Sequence, residues 1–210
     1  MNGSAIDGEV RVVKEVLPGV LHWSAPHSGI KADVSSYFVL GERPTLIDPL
    51  LLSDDLAALR EPAPAQIVIT NRHHLRSSER IAAAFGCPIR CNEKGLHEFA
   101  GGPPVEGFAF GDELAPGIRA HEVGVICDEE TALHLDVGAR ALVVADGIIN
   151  YAGIGFVPDV HLGDDPDRVK RGLKEAYARL LELDFDNILF AHGEPLIGGA
   201  KQALREFVES

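Results

Sequence analysis

The stretch that most constrains the fold is residues 66–86, with the sequence QIVITNRHHLRSSERIAAAFG. Its first five residues predict a buried strand, and a polar loop with two histidines follows directly. A helix is then predicted to begin at Ser77 or Ser78 and to end at Gly86, because glycine adopts the left-handed conformation common at helix ends. α/β proteins use a strand, a polar loop and a helix in this order to place reactive side chains at a sheet edge.

The second half of the chain contains the same arrangement. The apolar run NILFA at residues 187–191 predicts a buried strand, His192 follows it, and residues 200–208 predict a helix. A further apolar run, ALVVA at residues 141–145, ends in Asp146. The two halves share no short sequence repeat, so their similarity is one of architecture only.

Shorter strands are predicted around these units, at residues 9–16, 20–24, 36–40 and 45–47. Ser53 is predicted to begin a short helix. The strongest helix prediction starts at Asp165-Pro166, since proline fits the first helical position. Strands followed by strand–helix units in both halves predict an α/β (α+β) fold, in which two sheets are covered by helices on their outer faces. We expect residues 1–210 to form one such domain.

Composition excludes several classes of partner. The chain has 32 acidic and 19 basic residues and a formal net charge of -13, so no nucleic acid is expected to bind. No apolar run approaches the roughly 18 residues of a membrane span, and the N-terminal residues do not resemble a signal peptide. The 3 cysteines without an export signal indicate free thiols, so we expect a cytoplasmic protein. The oligomeric state is left open.

Imidazole and carboxylate groups directly follow three of the predicted strands: His73 with His74, then Asp146, then His192. Gathered at one sheet edge, these groups suit Zn²⁺, Fe or Mn²⁺. A metal ion there would activate water for hydrolysis. A lone histidine is more often a hydrogen-bonded polar residue than a ligand, so the prediction depends on the joint placement of these groups.

Four segments resemble the metallo-β-lactamase-fold superfamily, and the resemblance extends over nearly the whole chain. They are LIDPLL at 46–51, VITNRHHLRS at 68–77, LVVADGII at 142–149 and LFAHGEP at 189–195. The resemblance implies a four-layer αββα sandwich, with Asp48 as a structural aspartate behind the site. It also implies that Asp146 is a metal-bridging and catalytic aspartate and that His192 is a metal ligand. His73 matches the second histidine of the family's His-x-His-x-Asp-His loop.

Departures from this loop reduce the metal site that the resemblance implies. Asn71 takes the place of the first histidine, Leu75 that of the aspartate, and Arg76 that of the last histidine. Another ligand position falls on Ile126 without a gap, or on His121 with a shift of five residues along the printed sequence. The metal ligands that remain are His73, Asp146 and His192. This set is enough for one ion with an open position, but not for a two-metal centre.

Two functions are compatible with these residues. The first is a hydrolase of a small ester or thioester that holds at most one Zn, Fe or Mn ion. The second is a non-catalytic relative that binds a small-molecule ligand or a partner without any ion. In the second case Arg76 would pair with Asp146 and supply positive charge in place of a metal, with Asn71 completing the contacts. The remaining residues predicted to line the site are His74 and Asp48, with His27 and Tyr151 in loops near its mouth.

Overall fold

The computed structural model of the protein describes residues 13–52, 59, 61–138 and 140–210. Within these ranges, the first sheet has seven strands, hydrogen-bonded in chain order: β1 (Lys14–Leu17), β2 (Val20–His27), β3 (Ala32–Val39), β4 (Thr45–Ile47), β5 (Gln66–Val68), β6 (Ile89–Asn92) and β7 (Val105–Phe108). The second sheet, counted over the same ranges, has six strands in the order β15 (Leu196–Ile197), β14 (Asn187–Phe190), β11 (Ala141–Val144), β10 (Thr131–Leu135), β9 (Ile118–Glu122) and β8 (Glu113–Ala115).

The remaining elements lie outside these two sheets. Strands β12 (Ile149–Asn150) and β13 (Ile154–Gly155) pair as a small antiparallel hairpin. The α-helices are α1 (Ser78–Phe85), α2 (Pro166–Leu180) and α3 (Ala200–Glu209). Short 3₁₀ segments occupy Arg72–His74, Glu93–Phe99 and Asp159–His161.

Hydrophobic clusters of the described residues lie between four layers of helices and sheets. Between the sheets, Tyr37 and Ile47 of the first share a buried cluster with Leu133 and Leu189 of the second. A second cluster joins the outer face of the second sheet to α2 and α3, and a third joins the outer face of the first sheet to α1. The fold is therefore an αββα sandwich, which confirms the predicted fold class.

The two best helix predictions are confirmed, and their ends show why. Gly86 ends α1 in the left-handed conformation with φ +67°, and its N–H bonds to a carbonyl of the last turn. Asp165 caps α2, where its side chain accepts a hydrogen bond from the Arg168 N–H at 3.0 Å. Proline then occupies the first position of this helix. Local capping chemistry was sufficient to place both helices.

The hairpin of β2 and β3 is longer than the sequence pattern predicts. Residues 25–33 look like a loop in the sequence, yet pairing continues through Ala25 with Val34 to His27 with Ala32. Cross-strand hydrogen bonds stabilise this extension, and they cannot be seen in the local pattern. The predicted helix at Ser53 and the first residues of the strand at 9–16 lie outside the described residues. In the part of the chain that is described, no helix has the length and apolar character needed to cross a bilayer.

Strand direction brings the polar loops together. β4 runs parallel to β5 in the first sheet, and β11 runs parallel to β14 in the second. The carboxyl ends of these strands meet at one edge of the sandwich, so the loops that follow them face each other. Backbone hydrogen bonds join the sheets at this edge, from Thr131 N to Thr70 O and from Ser35 N to Ala191 O, both 2.9 Å long.

Candidate metal centre

The loop after β5 is held by Asn71, which is fully buried. Its side-chain oxygen accepts a hydrogen bond from the backbone N–H of His73 at 2.9 Å, and its backbone oxygen accepts one from His74 N at 2.9 Å. Residues Arg72–His74 thereby form a 3₁₀ turn. Side chains one position apart in such a turn are rotated by about 120°. His73 is consequently exposed, while His74 points into the protein and is buried.

The imidazole of His74 lies between two carboxylates. Its Nδ1 is 2.9 Å from Oδ2 of Asp48, and its Nε2 is 3.1 Å from Oδ1 of Asp146. Burial lowers the pKa of His74, but the charges of Asp146 and Asp48 outweigh burial and raise this pKa to about 9. Without a metal ion, both ring nitrogens therefore carry protons and donate to the two carboxylates at neutral pH.

Asp146 follows β11 and accepts hydrogen bonds from three side chains. Its Oδ1 is 2.8 Å from Nε2 of His192 as well as 3.1 Å from Nε2 of His74. Its Oδ2 accepts from the side-chain amide of Asn71 at 3.1 Å. Burial raises the pKa of Asp146, but the two imidazoles outweigh burial and hold this pKa well below its usual range. Asp146 is therefore a carboxylate at neutral pH.

The donor set fits one metal ion. One ligand atom each from His74, Asp146 and His192 lie within 4.8 Å of one another, and the described residues contain no second group of this kind. Two imidazoles and one carboxylate form a common three-ligand set that leaves a fourth position open. Asp48 binds the other ring nitrogen of His74, as carboxylates do behind many metal-ligating histidines.

A cavity of about 400 Å³ opens directly onto this group. Asp146 and His192 line it together with His73 and Cys127. Burial raises the pKa of the Cys127 thiol to about 11, so this cysteine is a thiol rather than a thiolate at neutral pH. The rest of the lining is mainly apolar and consists of Ile30, Ala32, Ile126, Ile149, Tyr151, Val157, Pro158 and His161.

Comparison with solved structures identifies the architecture. The DIM-1 metallo-β-lactamase superposes with a TM-score of 0.71 over 95% of this chain and 96% of its own, at 13% identity. The chain has the metallo-β-lactamase fold. The metallo-β-lactamase family protein TTHA1429 from Thermus thermophilus gives 0.65 over 93% and 80% of the two chains, at 17% identity. TTHA1623, solved in a di-iron-bound form, gives 0.61 over 92% and 96%, at 20% identity.

Comparison of sequences finds no match for this chain, whereas comparison of structures does. No protein-family model and no curated protein sequence matches this chain. At 20% identity or less, these structural neighbours establish the metallo-β-lactamase fold and leave activity to be argued from the site. The fold was predicted from four short segments, and that prediction is confirmed.

The placement of the predicted ligands differs from the expectation at one position. Asp146 and His192 lie together as expected, but the third member of the group is His74 instead of His73. Matching the metallo-β-lactamase loop by position selects His73. The 3₁₀ turn instead directs the side chain of His73 toward the cavity and that of His74 toward Asp48. The role of any of these residues in metal binding stays a prediction.

The predicted pair of Arg76 with Asp146 is corrected by the structure. Arg76 is half-buried, and its Nη1 donates to the backbone oxygens of Ser35 and Asp48, each at 2.7 Å. Arg76 has a left-handed backbone with φ +45°. Asp48 is also left-handed, with φ +47°. Backbone strain of this kind persists only where the surrounding contacts enforce it.

Ile126 and His121, the two candidates for the missing ligand position, lie in different places. Ile126 lines the cavity beside Asp146 and His192. His121 lies on β9 with its ring 6.1 Å from that of His134, and it does not line the cavity. At Ile126, the candidate from the ungapped match, the cavity wall is therefore apolar.

Sequence reasoning missed a buried acid behind Asp146. Oε1 of Glu130 accepts a hydrogen bond from the N–H of Gly147 at 2.7 Å, and Glu130 is fully buried. Burial, reinforced by the charge of Asp146, raises the pKa of Glu130 to about 8. A Cβ atom at Gly147 would lie 2.9 Å from this oxygen, so a larger residue there would require the Glu130 side chain to shift. An acidic residue before β10 gives no sequence signal for this role.

Proposed function

We propose that this protein binds a single divalent metal ion through His74, Asp146 and His192 and hydrolyses a small ester or thioester. The observation that supports this most directly is the convergence of the three ligand atoms within 4.8 Å, beside a cavity that Asp146 and His192 line. The cavity is of a size that suits a small molecule. Small-molecule substrates are accordingly the proposed partners.

Each residue of the group has a separate task in this proposal. Asp48 holds Nδ1 of His74 and so directs Nε2 of that ring toward Asp146. Asn71 holds the second oxygen of Asp146, which fixes the plane of the carboxylate. Because the pKa of Asp146 is far below neutral, this residue acts as a charged ligand rather than as a proton acceptor. A bound divalent ion would supply a Lewis acid for the carbonyl group and would acidify a water molecule.

Metal content distinguishes the structural assignment from the one that the sequence favours. Purified, untagged protein is incubated with Zn²⁺, Fe²⁺ or Mn²⁺, desalted and measured by elemental analysis. We expect about one equivalent per chain in the wild type, since the group offers three ligands for one ion. His74→Ala and His192→Ala should lose the ion. His73→Ala is the matched control and should retain it, because His73 is exposed and outside the group.

The same experiment contains the results that oppose the proposal. Loss of metal in His73→Ala with retention in His74→Ala would restore the assignment by motif position. Wild-type protein that binds none of the three metals would remove the metal-dependent reaction. Iron is included because TTHA1623, which has the same fold, was solved in a di-iron-bound form.

A second function is favoured by one specific observation. The carboxylate of Asp146 already accepts hydrogen bonds from Asn71, His74 and His192. With His74 protonated, an imidazolium supplies positive charge between Asp48 and Asp146, where an ion would otherwise do so. A non-catalytic, ligand-binding protein would need nothing more. In that case wild-type protein stays metal-free, and a small molecule still binds in the cavity.

A further inference from the structure

The lining of the cavity is partly polar and mostly apolar. Asp146, His73 and His192 contribute carboxylate and imidazole groups, while most of the remaining lining, apart from His161, is aliphatic or aromatic carbon. None of the described residues that line it is a lysine or an arginine, and the only carboxylate among them is Asp146. A charged group beside these carbon atoms would lose part of its hydration, and His161 is the imidazole available in this part of the described lining.

Exposed apolar side chains surround the mouth of the cavity. Among the described residues, the large hydrophobic side chains that are most exposed are Ile30 (47%), Tyr151 (58%), Val160 (82%) and Ile197 (48%). Ile30 and Tyr151 line the cavity, and Val160 lies in the turn between the lining residues Pro158 and His161. Only Ile197, on β15, lies elsewhere. An exposed apolar group concentrated at one mouth marks a binding surface for apolar ligands.

The mouth lies between two hairpins. Ile30 is in the turn that joins β2 to β3, and Tyr151 is in the turn that joins β12 to β13. The hydroxyl of Tyr151 donates to the backbone oxygen of Asp33 at 3.3 Å, which connects the two hairpins across the mouth. The two hairpins that carry Ile30 and Tyr151 are therefore connected by this hydrogen bond.

We infer that the cavity binds the uncharged, apolar group of a carbonyl substrate, with the carbonyl toward the imidazole of His192 and a hydrocarbon chain toward Ile30 and Tyr151. This inference rests on the proposed function for the carbonyl end and extends it by naming the substrate class. Acyl esters and thioesters with an unbranched aliphatic chain belong to this class. Carbonyl compounds with a carboxylate or phosphate at the far end do not, because no lysine or arginine is among the described residues that line the cavity.

Binding of methyl ketones tests the inference without any reaction. A ketone carries the carbonyl group and the chain but has no leaving group. The probes are 2-butanone, 2-hexanone and 2-octanone, with 7-oxooctanoate as the matched compound that replaces the terminal methyl of 2-octanone by a carboxylate. Kd values come from ligand-observed NMR titrations of EDTA-treated protein. We expect Kd to fall by up to about fourfold for each added CH₂ group. 7-Oxooctanoate should bind at least about tenfold more weakly than 2-octanone.

Two isoleucines of nearly equal exposure provide a matched pair of variants. Ile30→Asp places a charge on the rim, and Ile197→Asp places the same charge on an exposed isoleucine outside the cavity. Ile30→Asp should raise the Kd of 2-octanone by about tenfold and leave that of 2-butanone nearly unchanged. Ile197→Asp should leave both unchanged. Tyr151→Ser, which removes the ring and its bond to Asp33, should also weaken the long-chain ketone selectively.

The outcomes separate this inference from the proposed function. Equal Kd values along the ketone series, or 7-oxooctanoate bound as tightly as 2-octanone, would overturn the apolar assignment even if the protein held a metal ion and cleaved esters. Equal effects of Ile30→Asp and Ile197→Asp would overturn it as well. Chain-length dependence in a protein that binds no metal would support the apolar assignment and remove the hydrolase.

Discussion

Replacing His74 by asparagine is expected to remove a pH-dependent part of the free energy of unfolding. In the metal-free protein, the carboxylates of Asp146 and Asp48 raise the pKa of His74 from 6.5 to about 9, against the effect of burial. A group whose pKa is higher in the folded state stabilises the fold fully below its unfolded pKa. This contribution is lost as the pH rises through the folded pKa. For His74 it is therefore lost between about pH 6.5 and about pH 9.

The magnitude follows from these two pKa values. One pKa unit corresponds to about 1.4 kcal/mol, so the difference between 6.5 and about 9 gives about 3 kcal/mol at acidic pH. The same relation leaves about 2 kcal/mol near pH 7.5 and almost nothing near pH 10. Because His74 and Asp48 are both buried, solvent screening of this interaction is small.

Urea unfolding in the presence of EDTA measures this contribution. Wild-type protein, His74→Asn and His73→Asn are compared near pH 6, 7.5 and 10. Between the lowest and highest pH, the wild type should lose about 3 kcal/mol more than His74→Asn. His73→Asn should follow the wild type, because its side chain is exposed. If the free energy of unfolding of the wild type and of His74→Asn changed with pH in parallel, a protonated His74 between two carboxylates would be refuted.

Two further predictions concern residues that support the site. Gly193 has φ +97°, and a Cβ atom there would lie 2.1 Å from the backbone oxygen of Asn150, so Gly193→Ala should cost more than about 3 kcal/mol. Gly155→Ala has no atom within 4 Å of its new methyl and should change stability by less than about 0.5 kcal/mol; equal melting temperatures for the two variants would contradict the reasoning. Burial raises the pKa of Glu130 from 4.5 to about 8, so the folded state keeps a proton that the unfolded state releases, and stability falls as the pH rises from 4.5 to about 8. Glu130→Gln has no such proton to release, so this loss of stability is absent in the variant. The free energy of unfolding of the variant minus that of the wild type should therefore rise by about 3 kcal/mol from pH 5 to pH 8 in urea unfolding. A difference that does not change with pH would show that Glu130 is ionised in the folded protein.

Local sequence was sufficient for the elements that have local causes. Gly86 ends α1, and Asp165 with Pro166 begins α2, because capping and proline geometry act within a few residues. The apolar runs that end at Asp146 and before His192 became buried strands, since a continuous apolar run in an α/β protein is covered on both faces. These predictions place two of the three members of the candidate metal centre at the same sheet edge.

Only the tertiary structure selected His74 over its neighbour. The two histidines are adjacent in the sequence, and their chemistry is identical. The 3₁₀ turn separates their directions, and the carboxylates that attract the inward ring belong to residues 26 and 72 positions away in the chain. The partners of Arg76 could not be predicted from local sequence for the same reason, because its guanidinium donates to carbonyl oxygens that are 28 and 41 positions away. Contacts of this range form only when the two sheets pack together, so a pattern in the sequence can name the candidate residues but cannot decide between them.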